Sequence, residues 1–373
     1  MAKLRNYIKE IDIRNNSGMT ENLLGVSVSK EFIPSIANTN GTDWTKYKII
    51  KRNQFCYIPD TSRRGDKIGI ALLEDYDEAL VSQAYTVFKV DENHILPKFL
   101  LMWFKREEFD RYARFMSHGS VREIFSWDKL CDTDVPMPSI EKQKRIVSEY
   151  ENIQKAIHIK EQINNNLLLT LDTSLNILLE KSTLKKIQFG DFAYFLNGYA
   201  FKSDSYLPEG KYRILTIGNV QDGKITYDPA NFINELPKNI PEHCILAVGD
   251  ILMSLTGYVG RIAIVTKDNC LLNQRVCKIK PKKDYYLAGI VALMRCEKVQ
   301  RSMNTMSEGG TAQQNLSAVE LSNTEFDFIS LEQFETFCVS NKKIISTYLN
   351  NLNIIEELTK ISKLLISSLS SKR

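Results

Sequence analysis

The sequence repeats itself at a spacing of about 191 residues, and this repeat constrains the fold more than any other feature. LVSQAYTVFKV (80–90) aligns with LLNQRVCKIKP (271–281). Three residue pairs mark the alignment: Gln83 with Gln274, Met116 with Met306, and Ser139 with Ser330. Self-similarity at a fixed spacing indicates a duplicated structural unit.

Each copy has the same order of short β-like runs and helical segments. The runs are rich in Tyr, Val, Ile and Phe and are separated by Gly, Asn and Asp, which is typical of strands joined by turns. In the first copy they are LLGVSVS, NQFCYIP, KIGIALL and AYTVFKV, and in the second YRILTIGNV, GDILMSL, GRIAIVT and QRVCKIK. A helical segment follows at 96–116 and at 285–306. The sequence therefore predicts two mixed α/β domains.

Each copy ends in a long stretch without Gly or Pro, from Pro138 to Gly190 and from Gly310 onward. The apolar residues mostly step by three or four, as in a coiled coil. The first stripe is Ile146, Tyr150, Ile153, Ile157, Ile163, Leu167, Leu171, Leu175 and Leu178. The second is Phe334, Phe337, Ile344, Tyr348, Leu352, Ile355, Leu358, Ile361, Leu365 and Leu369. Two long helices are predicted.

Ser139 and Ser330 stand where the N-caps of these helices belong, and Glu141 and Glu332 suit the positive end of the helix dipole. A helix of roughly forty residues is about 60 Å long and needs a partner along its length. Only the helix of the other copy matches it. We therefore expect an antiparallel coiled coil, with the two α/β domains related by a pseudo-twofold axis at opposite ends of a rod.

Composition indicates a folded, cytoplasmic protein. Of 373 residues, 43% are hydrophobic and 25% charged, and the length favours two or three domains. The N-terminus lacks an apolar segment, and no apolar run approaches the ~18 residues that span a membrane. The 7 cysteines contain no C-x-x-C pair, so we expect buried thiols. A net charge of +4 neither requires nor excludes a nucleic-acid partner.

The sequence carries no recognisable catalytic motif. There is no G-x-x-x-x-G-K-[ST] loop, and DPANF (228–232) differs from the Asp/Asn-Pro-Pro-aromatic arrangement expected of an amino-methyltransferase. The four histidines, His94, His118, His158 and His243, show no metal-ligand spacing. We predict no catalytic residue, no metal site and no cofactor in this chain.

The chain resembles the specificity subunit of type I restriction-modification systems over essentially its whole length. The stretches that carry the resemblance are LRNYIKEIDIRN, GVSVSKEFIPSIANTNGTDWTKYKII, PSIEKQKRIV, GDFAYFLNGYAFKSDSY, GDILMSLTGYVGRIAIV, LLNQRV and EGGTAQQNLS. The second helix departs from the family by beginning ISLEQFETF, and the first domain has PDTSRRGDKIG in place of SLTGYVGR. The resemblance implies target-recognition domains at 1–138 and 184–328, and long helices at 139–183 and 329–373.

The resemblance also implies partners and a division of labour. Each recognition domain would read one half of a split double-stranded DNA target, and the helices would set the gap and bind two methyltransferase subunits. Restriction-translocase subunits would complete the complex. S-adenosylmethionine, ATP and Mg would belong to these partners, and this chain would be non-catalytic.

The polar loops are the predicted DNA contacts. SRRGDK (62–67) gathers cationic side chains beside a glycine, and a guanidinium fork matches guanine O6 and N7. Two Met-Ser-x-Gly loops begin at Met116 and Met306. On the family resemblance they would face DNA, with glycines near phosphates and polar side chains near base edges. The predicted DNA-binding residues are Arg63, Arg64, Lys67, Gln83, His118, Ser120, Arg122, Lys202, Thr256, Tyr258, Arg261, Gln274, Arg275, Thr311, Gln313 and Gln314. The loops could instead be solvated connections, and Tyr258 could pack in a core.

Two other functions stay open at this point. One is a scaffold with a coiled coil and two protein-binding modules, in which Arg63, Arg64 and Arg261 would be dispensable. The other is a metal-dependent nuclease that uses carboxylates such as Asp66, Glu74 and Asp250.

Overall fold

A computed structural model of the chain describes residues 1–16, 18, 20–36, 41–60, 67–117, 123–221, 223–257, 259–308 and 317–369. It divides into two units. The first unit comprises Met1–Ala156 and Leu358–Arg373, and the second unit comprises Ile157–Glu357. The domain boundaries expected at residues 138, 183 and 328 remain predictions.

The first unit is built on two four-stranded sheets. Its strands are β1 (Ala2–Lys3), β2 (Ile8–Ile11), β3 (Leu23–Val26), β4 (Phe32–Pro34), β5 (Lys48–Lys51), β6 (Phe55–Ile58), β7 (Gly69–Leu72), β8 (Glu78–Val81), β9 (Thr86–Val90) and β10 (Asp134–Val135). The sheet orders are β2-β9-β6-β7 and β4-β3-β8-β5, and β1 pairs with β10. Within these sheets only β3 and β8 are parallel neighbours.

Three short helices cover one face of the β2-β9-β6-β7 sheet: α1 (Pro97–Phe104), α2 (Glu107–Phe115) and α3 (Trp127–Cys131). Side chains of β6 alternate between the two faces, as in any strand. Phe55 and Tyr57 lie in the core with the helices, whereas Cys56 and Ile58 lie in the core with the second sheet. The unit therefore has three layers, helices, sheet and sheet.

The chain then forms the long helix α4 (Ile140–Lys181) and enters the second unit. Its strands are β11 (Lys185–Gln188), β12 (Ala193–Asn197), β13 (Tyr212–Leu215), β14 (Val220–Gln221), β15 (Lys224–Ile225), β16 (Asn231–Ile233), β17 (Ile245–Leu246), β18 (Ile251–Ser254), β19 (Ile262–Ile264), β20 (Cys270–Leu272), β21 (Val276–Pro281) and β22 (Glu325–Phe328). Its helices are α5 (Leu287–Arg295), α6 (Glu297–Glu308), α7 (Ala318–Asn323) and the long α8 (Leu331–Ser368).

The second unit repeats the topology of the first. Its sheets have the orders β12-β21-β18-β19 and β16-β13-β20-β17, and β11 pairs with β22. The one parallel pair, β13 with β20, matches β3 with β8. Of the described strands, only the hairpin β14–β15 lacks a counterpart in the first unit. The predicted duplication and the α/β fold class are confirmed, and each predicted run contains a strand.

The helical segments predicted at 96–116 and 285–306 each consist of two helices. The breaks fall at Arg106 and Cys296, whose backbones are extended. In the first unit the break lets the following helix turn back, and the Phe104 and Phe109 rings lie 4.8 Å apart. The apolar periodicity continues across the break because both helices face one core.

The long helices begin as the sequence indicated. The Ser139 hydroxyl accepts a hydrogen bond from the Lys142 N–H at 3.3 Å. The Ser330 hydroxyl likewise accepts one from the Gln333 N–H at 3.3 Å, and the Gln333 side chain accepts the Ser330 N–H at 3.1 Å. These bonds satisfy N–H groups that the first turn of a helix leaves without a partner. Both predicted N-caps are confirmed.

The two long helices pack together antiparallel within each unit. In the first unit Gln154 donates to Ser362 at 2.9 Å, and in the second Gln333 donates to Ser182 at 3.0 Å. The buried stripes differ from the predicted ones at two positions. Ile163 and Ile361 are 39% and 49% exposed. The predicted stripes were therefore wrong at these positions, because a helix surface turns far enough between neighbouring residues to bury the next one instead.

Polar side chains are buried in the seam: Asn164 next to Ile163, Ser362 next to Ile361, and Asn351. Asn164 and Asn351 are 4% and 2% exposed, and the Asn351 amide donates to Asn164 Oδ1 at 2.9 Å. Lys160 Nζ donates to Asn351 Oδ1 at 2.9 Å, and the Asn164 amide donates to the Tyr348 carbonyl at 3.4 Å. The helix pair thus contains a hydrogen-bonded polar cluster formed by Lys160, Asn164 and Asn351.

All seven cysteines are buried and free. Burial raises the pKa of Cys270 to about 11, and of Cys277 and Cys338 to about 12. The prediction of buried thiols is confirmed.

Candidate nucleic-acid interface

In the first unit, the strand register brings two predicted contact segments to the same end of one sheet. Ile58 pairs with Gly69, so the 61–66 segment leaves and re-enters the sheet at this end. Tyr57 pairs with Thr86, so the turn before β9, which carries Gln83, lies at the same end. Gln83 is exposed there.

The flanks of the two polar loops of the first unit are joined. Asp60 and Ile124 form a β-bridge, and the Phe125 N–H donates to the Pro59 carbonyl at 2.9 Å. Burial raises the pKa of the Tyr57 hydroxyl, which stays protonated and donates to the Phe125 carbonyl. The residues that precede segment 61–66 therefore contact the residues that follow segment 118–122. The predicted residues Arg63, Arg64, His118, Ser120 and Arg122 lie outside the described residues.

An ion pair closes the second of these loops at its base. Arg114, in the last turn of α2, pairs with Glu123. The Ser117 hydroxyl donates to the Ala113 carbonyl at 2.7 Å, which continues the helix end. The residues on both sides of the 118–122 segment are thus held by these contacts. Lys67, which follows the other loop, is exposed.

The second unit has an equivalent turn before β21. The Val276 N–H donates to the Asn273 carbonyl at 2.9 Å, just as the Tyr85 N–H donates to Ser82 at 3.0 Å in the first unit. Gln274 and Arg275 occupy the middle of this turn and are exposed. The aligned residues Gln83 and Gln274 therefore lie in equivalent turns of the two units.

The segment that carries Lys202 lies beside the same turn. The Tyr199 N–H donates to the Leu272 carbonyl at 2.9 Å, and the Asn273 amide reaches the Tyr206 hydroxyl at 3.5 Å. Gly198 allows this approach, since a Cβ there would lie 2.1 Å from the Asn273 carbonyl oxygen. Lys202 is exposed between these two anchor points. The structure brings Lys202, Gln274 and Arg275 onto neighbouring segments.

The 256–261 loop of the second unit adjoins this turn. The Leu255 N–H donates to the Arg275 carbonyl at 3.2 Å. The loop is closed by reciprocal bonds between Ser254 and the pair Gly260 and Arg261, both 3.0 Å long. The Thr256 hydroxyl is buried and has no hydrogen-bond partner among the described residues. Tyr258, Thr311, Gln313 and Gln314 lie outside the described part of the chain.

Arg261 contacts an element that the sequence did not single out. Its guanidinium donates to Gln221 Oε1 at 3.1 Å, and Gln221 belongs to the hairpin β14–β15. Among the described strands this hairpin occurs in the second unit alone, where it lies beside the loop that connects the central strand β18 to the edge strand β19. No local sequence signal identifies Gln221, because 40 residues separate it from Arg261.

Two of the three carboxylates named for a metal-dependent nuclease lie among the described residues, and both are paired with lysines. Glu74 pairs with Lys98 at 3.1 Å, and Asp250 accepts hydrogen bonds from Lys278 at 2.6 Å and from the Ala247 N–H at 2.8 Å. Asp66 lies outside the described residues. Where side chains are described, no three His, Cys, Asp or Glu residues are grouped so as to hold a metal ion.

Comparison with known proteins assigns the family. The model of the type I restriction modification DNA specificity domain matches this chain twice, over residues 8–169 and 181–365. The chain belongs to the family of type I restriction-modification specificity subunits. The specificity subunit therefore carries two copies of the domain, in agreement with its repeated topology. Members of this family are non-catalytic subunits of their complexes.

A solved structure with a TM-score above 0.5 shows the same fold, and two further structures are similar at lower scores. The specificity subunit resembles the type I restriction-modification S subunit from M. genitalium, with a TM-score of 0.54 and 13% identity, covering 100% of this chain and 96% of that one. A chain described under complex assembly and conformational transition of the type I system has a TM-score of 0.44 and 14% identity, covering 99% of this chain and 96% of that one. The HsdS subunit from Thermoanaerobacter tengcongensis has a TM-score of 0.38 and 15% identity, covering 99% of this chain and 95% of its own.

A search of curated proteins gave no match to the specificity subunit. Among its described helices, none is long and apolar enough to cross a membrane.

Proposed function

We propose that the specificity subunit reads a split DNA target, with one half-site assigned to each of its two copies of the domain. The observation that carries this proposal is the duplicated topology with unlike loops. The second unit adds the hairpin β14–β15 beside Arg261, and the first unit has SRRGDK at the corresponding place. One scaffold with two loop sets suits two different half-sites.

Within each domain, the recognition surface comprises the β6–β7 or β18–β19 loop, the neighbouring turn before β9 or β21, and the Met-Ser-x-Gly loop that follows α2 or α6. Exposed Gln83, Gln274 and Arg275 are in position to reach base edges, since Gln pairs with adenine and Arg with guanine in the major groove. Lys67 and Lys202 are suited to phosphates, which fix position without reading sequence. The remaining predicted contacts belong to the strand-connecting loops, as for Arg63, Arg64, Thr256, Tyr258 and Arg261, or to the segments that follow α2 and α6, as for His118, Ser120, Arg122, Thr311, Gln313 and Gln314.

The long helices set the gap between the half-sites and bind the partner subunits. Two methyltransferase subunits supply S-adenosylmethionine-dependent adenine methylation, and restriction-translocase subunits supply ATP- and Mg-dependent cleavage. The specificity subunit itself contributes recognition and assembly. Because cationic contacts to phosphates dominate DNA affinity, binding weakens steeply as salt rises.

Genome-wide adenine methylation tests this function. Cells that express the chain with its native methyltransferase are compared with cells that express the methyltransferase alone. A split motif that appears only with the chain is expected. If the chain co-purifies with the methyltransferase but no motif appears, DNA reading is ruled out under these conditions and the scaffold function is favoured.

A further inference from the structure

One helix position performs the same task in both units. Asp110 and Gln300 are the fourth residues of α2 and α6, which are equivalent helices. Asp110 Oδ1 accepts the Ile68 N–H at 3.2 Å. Gln300 Nε2 donates to the Gly260 carbonyl at 3.0 Å. Each side chain therefore contacts the end of the loop that connects a central strand of its sheet, β6 or β18, to the edge strand, β7 or β19.

In the first unit this contact is part of a buried ion pair. Lys30 Nζ donates to Asp110 Oδ2 at 2.7 Å, and the lysine side chain is only 4% exposed. Burial lowers the pKa of Lys30, and Asp110 opposes that shift. Lys30 lies in the turn between β3 and β4, so Asp110 links that turn, α2 and the loop end at Ile68. A buried charge pair of this kind contributes little net stability compared with apolar residues.

In the second unit an amide makes the contact. Gln300 Nε2 also donates to the Met294 carbonyl, so both of its N–H groups are used. Gly260 has a φ of +82°, and a Cβ at this position would lie 2.8 Å from Gln300 Oε1. The loop thus requires a glycine here for its backbone conformation and for its approach to Gln300.

We propose that Asp110 and Gln300 are positioning residues that fix the recognition loops 61–67 and 256–261 for DNA reading. The proposal rests on the proposed function. At this helix position the first unit has a carboxylate that accepts a backbone N–H, and the second unit has an amide that donates to a backbone carbonyl. The contact occurs in both units although the sequences of the two loops differ. What the two units have in common is therefore a contact from this helix position to the backbone at the end of the loop, at Ile68 or Gly260, while the chemistry of the contact differs. Loss of either contact should impair one half-site and spare the other.

Two pairs of variants test Asp110 without leaving a buried charge. Lys30→Met with Asp110→Leu removes the ion pair and the loop contact together. Lys30→Met with Asp110→Asn removes the ion pair but keeps an oxygen that can accept the Ile68 N–H. Replacement of a buried ion pair by apolar residues is commonly tolerated, so both variants are expected to fold. Only the first should lose fidelity at one half-site.

Gln300→Glu and Gln300→Leu test the other contact, because neither side chain can donate to the Gly260 carbonyl. The controls are Glu107→Gln and Glu297→Gln, in the first turns of the same helices, where the side chains are 81% and 77% exposed. Each protein is co-expressed with the methyltransferase, and methylation is measured at the split target and at targets with one mismatch. Unfolding by urea is followed in parallel.

We expect roughly a three- to tenfold loss of discrimination at the affected half-site, the range of one hydrogen bond. The Asp110 and Gln300 variants should affect opposite half-sites, which a general loss of stability would not produce. Equal losses at both half-sites, or unchanged fidelity in folded variants, would overturn the proposal. If the unmodified chain gives no split motif, the proposed function fails, and this proposal falls with it.

Discussion

Lys160 and Asn351 stand 191 positions apart, at equivalent places in the repeated sequence, and Lys160 Nζ donates a hydrogen bond to Asn351 Oδ1 at 2.9 Å. In an antiparallel pair of equivalent helices, a residue meets its own counterpart at only one point along the pair. Asn164 completes the contact by accepting the Asn351 amide. A single buried Asn in a coiled coil is known to fix helix register at a cost in stability.

The first prediction concerns this polar cluster. Asn164→Leu combined with Asn351→Leu should raise the free energy of unfolding by about 1 kcal/mol, because two buried amides are replaced by apolar groups of similar size. The helices should then pair in more than one register. We expect urea unfolding to show the gain and methylation sequencing to show several accepted gap lengths in place of one.

The control is Asn165→Leu with Asn350→Leu, the same chemical change at exposed neighbouring positions of the two helices. It should leave the gap unchanged. A single sharp gap in the buried double variant would mean that apolar packing alone sets the register.

The second prediction concerns the length of the helices. Removal of seven residues within 150–175 takes out two turns, about 10 Å, and keeps the same face buried. The accepted gap should shorten by about three base pairs, with both half-sites unchanged. Methylation sequencing measures gap and half-sites together. A second variant, which carries an equal deletion within 341–366 as well, restores matched helix lengths. An unchanged gap in both deletion variants would refute the proposal that the long helices set the gap.

The third prediction concerns Arg261. Arg261→Ala removes a guanidinium that the hairpin β14–β15 orients through Gln221. If the guanidinium reads a base, binding to one half-site should weaken by about 1–3 kcal/mol with little effect on the other. Titration of DNA duplexes carrying either half-site measures this. Arg145→Ala, on an exposed arginine of α4, is the control. Uniform loss on random DNA would identify Arg261 as a phosphate contact.

The fourth prediction concerns alkaline pH. Burial raises the pKa of Cys277 and Cys338 to about 12 and of Cys270 to about 11, whereas an unfolded thiol ionises near ~8.5. The folded state therefore holds neutral thiols, and its advantage is complete below pH ~8.5. As pH rises further, each thiol should lower the free energy of unfolding by at most ~1.4 kcal/mol per pH unit until its folded pKa is reached.

Urea titrations at pH 7.5, 9 and 10 measure this dependence, and Cys277→Ala should flatten it. A thiol reagent at pH 8 should react slowly with the native protein and with all 7 cysteines in denaturant. Rapid native reaction at several sites would contradict the burial.

Sequence alone predicted the repeat, the strands and the long helices, because each is a local pattern repeated at one offset. It could not predict that the helical segment at 96–116 breaks at Arg106, since the apolar spacing is the same on both sides. Nor could it choose Asn164 over Ile163 for the helix seam, because the rotation of a helix about its axis is decided by packing with its partner.

The sequence predicted which loops belong to the recognition surface, but it could not predict which segments contact each other there. Phe125 bonds to Pro59, and Gln300 bonds to Gly260, across 40 residues or more of sequence. These contacts depend on strand register and helix packing. Asp110, Gln221 and Gln300 look like ordinary surface residues in the sequence and acquire their roles only from tertiary neighbours.

The discontinuous composition of the first unit has a consequence for how the protein is made. Leu365 and Leu369 belong to the same core as Val147, yet about 200 residues of the second unit are synthesised between them. At a synthesis rate of about 5–20 residues per second, the ribosome needs roughly 10–40 s to synthesise these residues before it reaches Leu365 and Leu369. During that interval the apolar side of the emerging first unit has no native cover. The part of the chain that leaves the ribosome first is therefore the part that finishes folding last.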